Sequence, residues 1–246
     1  MSRVQTVTLM MITALLALTG PAFAQGEITA TLQPSGLIEV GDDAGILATI
    51  ELNAHGPGWQ HAPQDSVTGE VRALPDEDGA EVTGALAIPN TDGGALEFIE
   101  TVRPLPQGLR LEYDVSVTQA MRLSGLQFTV NLPVARFGGD EVIIRQPTGD
   151  PKIAGLPAEQ GDTWAQLWRG DGSTIEVAGD TDRAITVQLR AATDVVLQDL
   201  RQWDQESFEV RFPAIMEDPG REMSEDDRFH LDVTITFAGP LTLVMP

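Results

Sequence analysis

Five stretches of the chain alternate apolar and polar residues: Leu109–Val117, Leu126–Leu132, Ile185–Leu189, Phe208–Phe212 and Phe229–Phe237. A period of two marks a β-strand with one buried and one wet face. In the first, Leu109, Leu111, Tyr113, Val115 and Val117 point one way and Arg110, Glu112, Asp114 and Ser116 the other. In the last, Phe229, Leu231, Val233, Ile235 and Phe237 form the apolar set, opposite His230, Asp232, Thr234 and Thr236. In Leu126–Leu132 the wet set is Gln127, Thr129 and Asn131. Long one-sided strands pair most simply as antiparallel sheets that bury their apolar faces together. The fold class expected is all-β: a large antiparallel β-sandwich of about fifteen strands with essentially no helix.

Shorter segments complete the set. Strands are expected near 28–33, 36–41, 46–53, 67–74, 80–88, 94–102, 109–118, 122–132, 140–146, 163–168, 173–178, 184–191, 194–199, 206–213, 228–238 and 241–245. Turn chemistry separates them, as at Gly41-Asp42-Asp43, Gly138-Gly139-Asp140, Gly170-Asp171-Gly172 and Asp218-Pro219-Gly220. The best helical alternative, 192–199, reads equally well as strand. No fixed repeat argues for a propeller or solenoid. The Gly- and Pro-rich stretch 146–162 reads as a long surface loop, the one candidate seam in a single domain spanning 25–246.

Residues 1–24 read as a secretory signal peptide. Arg3 supplies the positive start, Val7–Leu18 the apolar run, and Ala22-Phe23-Ala24 the cleavage site. The run is too short for a membrane span, so no membrane insertion is expected after cleavage. Without Cys or an Arg-Arg pair the leader fits general secretory export, to the periplasm or beyond. The absence of Cys also removes disulfides, thiol catalysis and cysteine metal sites. A formal charge of −22, with Lys152 the only lysine, speaks against nucleic acid and anionic membrane surfaces as partners.

Two segments concentrate chemistry. In Asn53–His61, Gly56-Pro57-Gly58 forces a turn that throws Trp59 outward, flanked by His55 and His61. An exposed indole is a platform for a sugar's apolar face, or it folds back as a lid on the core. His-x5-His is not the spacing of a helical zinc pair, and no metal site is expected there. The second segment holds Asp199, Arg201 and Trp203. In an extended chain these share one side, either as a sugar clamp or as a corner with Arg201 paired to Asp199 and stacked on Trp203. The outer strand faces add Arg110, Glu112 and Asn131, planar polar groups suited to hydroxyls and equally to plain solvation. Acidic turns at Asp76-Glu77-Asp78, Asp180-x-Asp182 and Glu225-Asp226-Asp227 have the oxygen donors for Ca2+ without an EF-hand pattern, and solvated turns explain them. No cofactor is implied. There is no G-x-S-x-G elbow and no P-loop.

The run Leu109–Leu132, followed by Leu132-Pro133, Phe137-Gly138-Gly139, Asp199-x-Arg201-x-Trp203 and a final long strand, resembles β-sandwich domains of exported bacterial proteins that accompany polysaccharide-degrading enzymes. In layout it is similar to the supersandwich of the galactose-mutarotase type. The resemblance implies a carbohydrate partner. Two functions fit it: an accessory that binds or helps process carbohydrate, and a mutarotase-like epimerase or glycosidase. The family's acid is a His and its base a Glu on a concave sheet face. His230 is the strand histidine this reading offers, with Asp232 and His55 as further acid/base candidates and no glutamate assigned. A structural envelope protein without a small ligand is the third reading.

Overall fold

The computed structural model describes residues 26–75, 78–161 and 165–246. The predicted leader, Asp76 and Glu77 lie outside them. Sixteen strands follow one another in chain order: β1 (Ile28–Leu32), β2 (Ile38–Asp42), β3 (Gly45–Gly56), β4 (Gln60–Pro63), β5 (Glu70–Ala73), β6 (Ala80–Ala87), β7 (Ala95–Leu105), β8 (Gly108–Val117), β9 (Met121–Pro133), β10 (Glu141–Arg145), β11 (Lys152–Gly155), β12 (Gln166–Val177), β13 (Ile185–Asp199), β14 (Ser207–Met223), β15 (Arg228–Phe237) and β16 (Leu241–Val244). One short helix, α1 (Val134–Phe137), and two 3-10 turns accompany them. The expected all-β architecture is the observed one.

A single path of neighbours runs β16-β1-β2-β3-β9-β14-β13-β15-β8-β7-β6-β5. Every pairing is antiparallel except β1 with β16. The sheet curls on itself, and a contact between distant strands shows it. The Tyr113 ring on β8 lies 5.7 Å from that of Phe128 on β9, although β14, β13 and β15 separate those strands along the path. The two meet across the interior, so the halves of the sheet are stacked layers. The alternating apolar residues fill the space between: Leu109, Leu111, Val233, Ile235, Phe128, Val130, Phe208 and Val210 are all buried. This burial of apolar surface is the main force holding the layers together.

One polar group is built into that interior. Glu100 on β7 is fully buried. Tyr113 Oη donates to its Oε1 (2.8 Å) and Gln64 Nε2 to its Oε2 (2.9 Å), while the Leu52 N–H donates to Gln64 Oε1 (2.6 Å). The network ties the two layers together. With no cation in it, burial pushes the Glu100 carboxyl up to about 8.

Several expectations need correction. Residues 163 and 164 of the predicted strand 163–168 lie outside the described residues; its remainder joins 173–178 in one long strand, β12, and 184–191 joins 194–199 in another, β13. Gly170-Asp171-Gly172 is therefore inside a strand, at a register shift, not at a turn. Asp218-Pro219-Gly220 lies within β14, where four residues bulge between Met216 and Arg221. The loop 146–162 contains β11, paired with β10. β4 and β11 have no alternation long enough to read. Phe229 and Leu231, assigned to the core, are only half-buried.

Candidate functional site

The polar side of β9 does not face water. Gln127 and Thr129 are buried, as are Asn53 on β3, Glu209 on β14 and Gln198 on β13. Strand pairing sets these residues in rows across the sheet. One row reads Thr49, Asn131, Glu209, Gln198. The next reads Glu51, Thr129, Arg211. A third holds Asn53 and Gln127. A fourth reads His61, His55, Gly125. Polar groups are buried only at a cost unless they are hydrogen-bonded, so a buried polar face calls for a reason.

Much of it is paired internally. Asn131 Nδ2 donates to Glu51 Oε1 (2.9 Å), and Asn53 Nδ2 to Thr129 Oγ1 (3.1 Å). Arg211 Nε donates to Glu209 Oε2 (2.7 Å). Two amide oxygens in one row, Asn131 Oδ1 and Gln198 Oε1, are buried without a partner. Burial pushes the Glu51 carboxyl up, and the charges of Asp65 and Glu209 add to this. Burial raises Glu209 as well, against the pull of Arg211.

The histidines stand at the open end of this face, on the β3–β4 hairpin. Gly56-Pro57-Gly58-Trp59 makes the turn, with Gly58 and Trp59 both at positive φ. His55 and His61 are directly opposite each other, with rings stacked at 5.0 Å. Trp59 meets His55 edge-on at 5.6 Å and is 36% exposed. Gly125 leaves room beneath: a Cβ there would sit 3.0 Å from His55 Nδ1.

Hydrogen bonds fix the tautomers. Gln127 Nε2 donates to His55 Nδ1 (3.1 Å), so the proton of neutral His55 is on Nε2. The Asn53 amide oxygen can only accept, so His61 Nε2 carries the proton that reaches it (2.9 Å). Burial holds His55 down to about 4, with the His61 and Arg211 charges acting the same way. His61 is lowered too, chiefly by burial. Both rings are neutral at neutral pH. Among the described residues neither His55 Nε2–H nor His61 Nδ1 has a partner. The pair presents one free donor and one free acceptor beside an exposed indole.

The structure thus brings together His55, Trp59, His61 and Asn131 of the residues singled out from sequence. It adds Glu51, Asn53, Gln127, Glu209 and Arg211. His230 is not the only histidine on a strand, since His55 and His61 are on β3 and β4.

The others lie elsewhere. Arg110 and Glu112 on β8 and Asp232 on β15 form an ion-pair cluster on the outer face of the other layer. Arg110 Nε and Nη2 donate to both Asp232 oxygens (3.1 and 2.9 Å), and Arg110 Nη2 to Glu112 Oε1 (2.7 Å). His230 Nδ1 is 2.8 Å from Asp114 Oδ1, with both side chains more than half exposed. A carboxylate does reach His230, but in solvent. Asp199 and Arg201 are a buried pair (2.6 Å), and Arg201 also donates to the Pro157 and Ala158 carbonyls. The chain there is a 3-10 turn, Leu200–Trp203, not an extended row. Arg201 therefore stacks on Phe208, at 5.3 Å, and not on Trp203, which stands 53% exposed. The corner form of that segment is the observed one, with a different aromatic partner.

No protein-family model matches the chain, and no curated protein sequence matches it. Solved structures do. It is similar to the Slr1438 protein from Synechocystis sp. PCC 6803 at 14% identity, covering 82% of this chain and 88% of that one, with a TM-score of 0.50. It is similar to a galactose mutarotase-like protein from Lactobacillus casei ATCC 334 at 11% identity, covering 84% and 96%, with a TM-score of 0.53. At this identity the likeness is one of fold, and it agrees with the mutarotase-type layout expected from the sequence.

Proposed function

We propose that this chain is an exported carbohydrate-binding protein that takes a sugar on the face built by β3, β4, β9 and β14. The observation that carries the reading is the stacked, neutral His55–His61 pair, with its free Nε2–H and free Nδ1 beside Trp59. A hydroxyl both donates and accepts, so one sugar hydroxyl, or two neighbouring ones, answers both nitrogens. The indole offers a stacking surface for the apolar side of a pyranose. The unpartnered oxygens of Asn131 and Gln198 are further acceptors deeper in the face. The likeness in fold to a galactose mutarotase-like protein supports sugar as the ligand class.

One observation favours a second reading, in which the face also processes its sugar. Glu51 and Glu209 both have raised carboxyl pKa values on the same face as two neutral imidazoles. General acid–base chemistry at a sugar's anomeric centre needs groups poised in this way.

A glycan array tests the first reading. Saturable binding is expected for the wild-type chain, weakened about tenfold or more by Trp59→Ala. Polarimetry of freshly dissolved α-D-galactose tests the second. Acceleration that disappears in Glu51→Gln or Glu209→Gln supports processing, and none in the wild type leaves binding alone.

A further inference from the structure

Strand β13 is shared between two neighbours. Its start, Ile185–Leu189, pairs with β15, and its end, Val196–Asp199, pairs with β14. Thr193–Val195 between them pair with β12 alone. The first residues of β15 and the part of β14 beyond Arg211 therefore have no strand beside them on this side. Their edges diverge and open a cleft of about 480 Å³ into the interior. Leu189, Phe212, Phe229 and Leu231 are among its walls, and Tyr113 and Phe128 line it more deeply. This explains why Phe229 and Leu231 are only half-buried. Along β9 the alternation sends Phe128 into the cleft and Thr129 the other way, while Gln127 borders both the cleft and the candidate site.

The size is that of a small-ligand site, and the wall is apolar. The rim carries a cation. The Arg190 side chain is 78% exposed and reaches one carboxylate, Asp232, at 3.9 Å. That carboxylate already accepts two hydrogen bonds from Arg110, so its charge is matched without Arg190. Ala191, Ala192 and Ala214 are small and exposed beside it, which leaves the mouth open. We propose that the cleft binds an aliphatic carboxylate, its chain among Phe212, Phe229 and Leu231 and its head on the Arg190 guanidinium. Charge-assisted hydrogen bonds from a guanidinium suit a carboxylate, and burial of the chain supplies the driving force.

Calorimetric titration of the mature chain with decanoate, and separately with 1-decanol, tests this. One saturable decanoate site is expected. Arg190→Gln weakens decanoate about tenfold and leaves decanol within about twofold. Ala192→Trp, an exposed change at the mouth, weakens both at an unchanged melting temperature. Trp59→Ala leaves both unchanged, so the cleft is tested independently of the sugar reading. Absence of saturable decanoate binding by the folded chain overturns the proposal. So does an Arg190→Gln variant that holds decanoate as tightly as wild type, or a folded Ala192→Trp variant that binds normally.

Discussion

His55 and His61 stack across the β3–β4 hairpin at 5.0 Å, and each is locked in one tautomer by an amide from the same buried face. Removing either amide frees a ring. Gln127→Ala should leave the chain folded but let His55 lose its defined orientation, with ligand binding weakened about tenfold. Comparison of the histidine ring signals and the binding isotherm in wild type and variant checks this.

The pH response of His55 follows from its burial. Its folded pKa, about 4, is below the ordinary histidine value of 6.5. The unfolded chain therefore binds the proton more readily between those values. The stability that His55 contributes is present above pH 6.5 and is lost as pH falls through 4. Denaturant midpoints between pH 7 and pH 4 should fall less steeply in His55→Gln than in wild type.

Glu100 works in the opposite direction. Its folded pKa, about 8, is above the ordinary 4.5, so the folded chain holds the proton more tightly. Its contribution is full below pH 4.5 and is lost as pH rises through 8. Glu100→Gln should flatten the decline of stability between pH 5 and pH 8. Tyr113→Phe removes a hydrogen bond to a buried group and should cost about 1–3 kcal/mol. Chemical denaturation across that range measures both.

The hairpin that carries the histidines depends on Gly56. A Cβ there would come within 2.1 Å of the Pro89 carbonyl oxygen, which is backbone and cannot swing away. Gly56→Ala should destabilise the chain by about 1–3 kcal/mol and displace Trp59 and His55 from each other. Gly58→Ala meets no such contact but sits at positive φ, and its cost should be smaller, about 1 kcal/mol. Thermal melts of the two variants separate close approach from backbone conformation.

Ion pairs differ by burial. Arg201→Ala leaves Asp199 buried without its guanidinium and should cost about 3 kcal/mol or more. The same change at Arg169, whose bond to Asp194 is largely exposed, should cost under about 1 kcal/mol. Urea unfolding of the two variants gives the comparison.

The layers were legible in the sequence because β8, β9 and β15 alternate over long runs, and period two admits only one arrangement of core and surface. The joining of 163–168 to 173–178 was not, because Gly170-Asp171-Gly172 carries turn chemistry and only β13 beside it keeps it extended. At the site, His55, Trp59 and His61 stood out because two rare residue types surround a forced turn. Glu51, Glu209 and Arg211 did not, because on their own strands each reads as one more solvated position. What distinguishes them is row pairing across three strands, and that register is a property of the assembled sheet. The same limit hides which layer a strand joins: His230 and Asp232 lie on β15, in the other layer from the buried polar face that carries His55.

The chain has three histidines, and two of them stand at the proposed sugar face. Titration of the protein with mono- and oligosaccharides, followed by NMR of the histidine ring signals, tests whether this face takes a sugar. Saturable shifts of His55 and His61 are expected with a bound sugar, while His230, exposed on the other layer, stays in place. Sugar binding that moves only His230, or that leaves all three rings unchanged, would place the sugar elsewhere and overturn the assignment of this face.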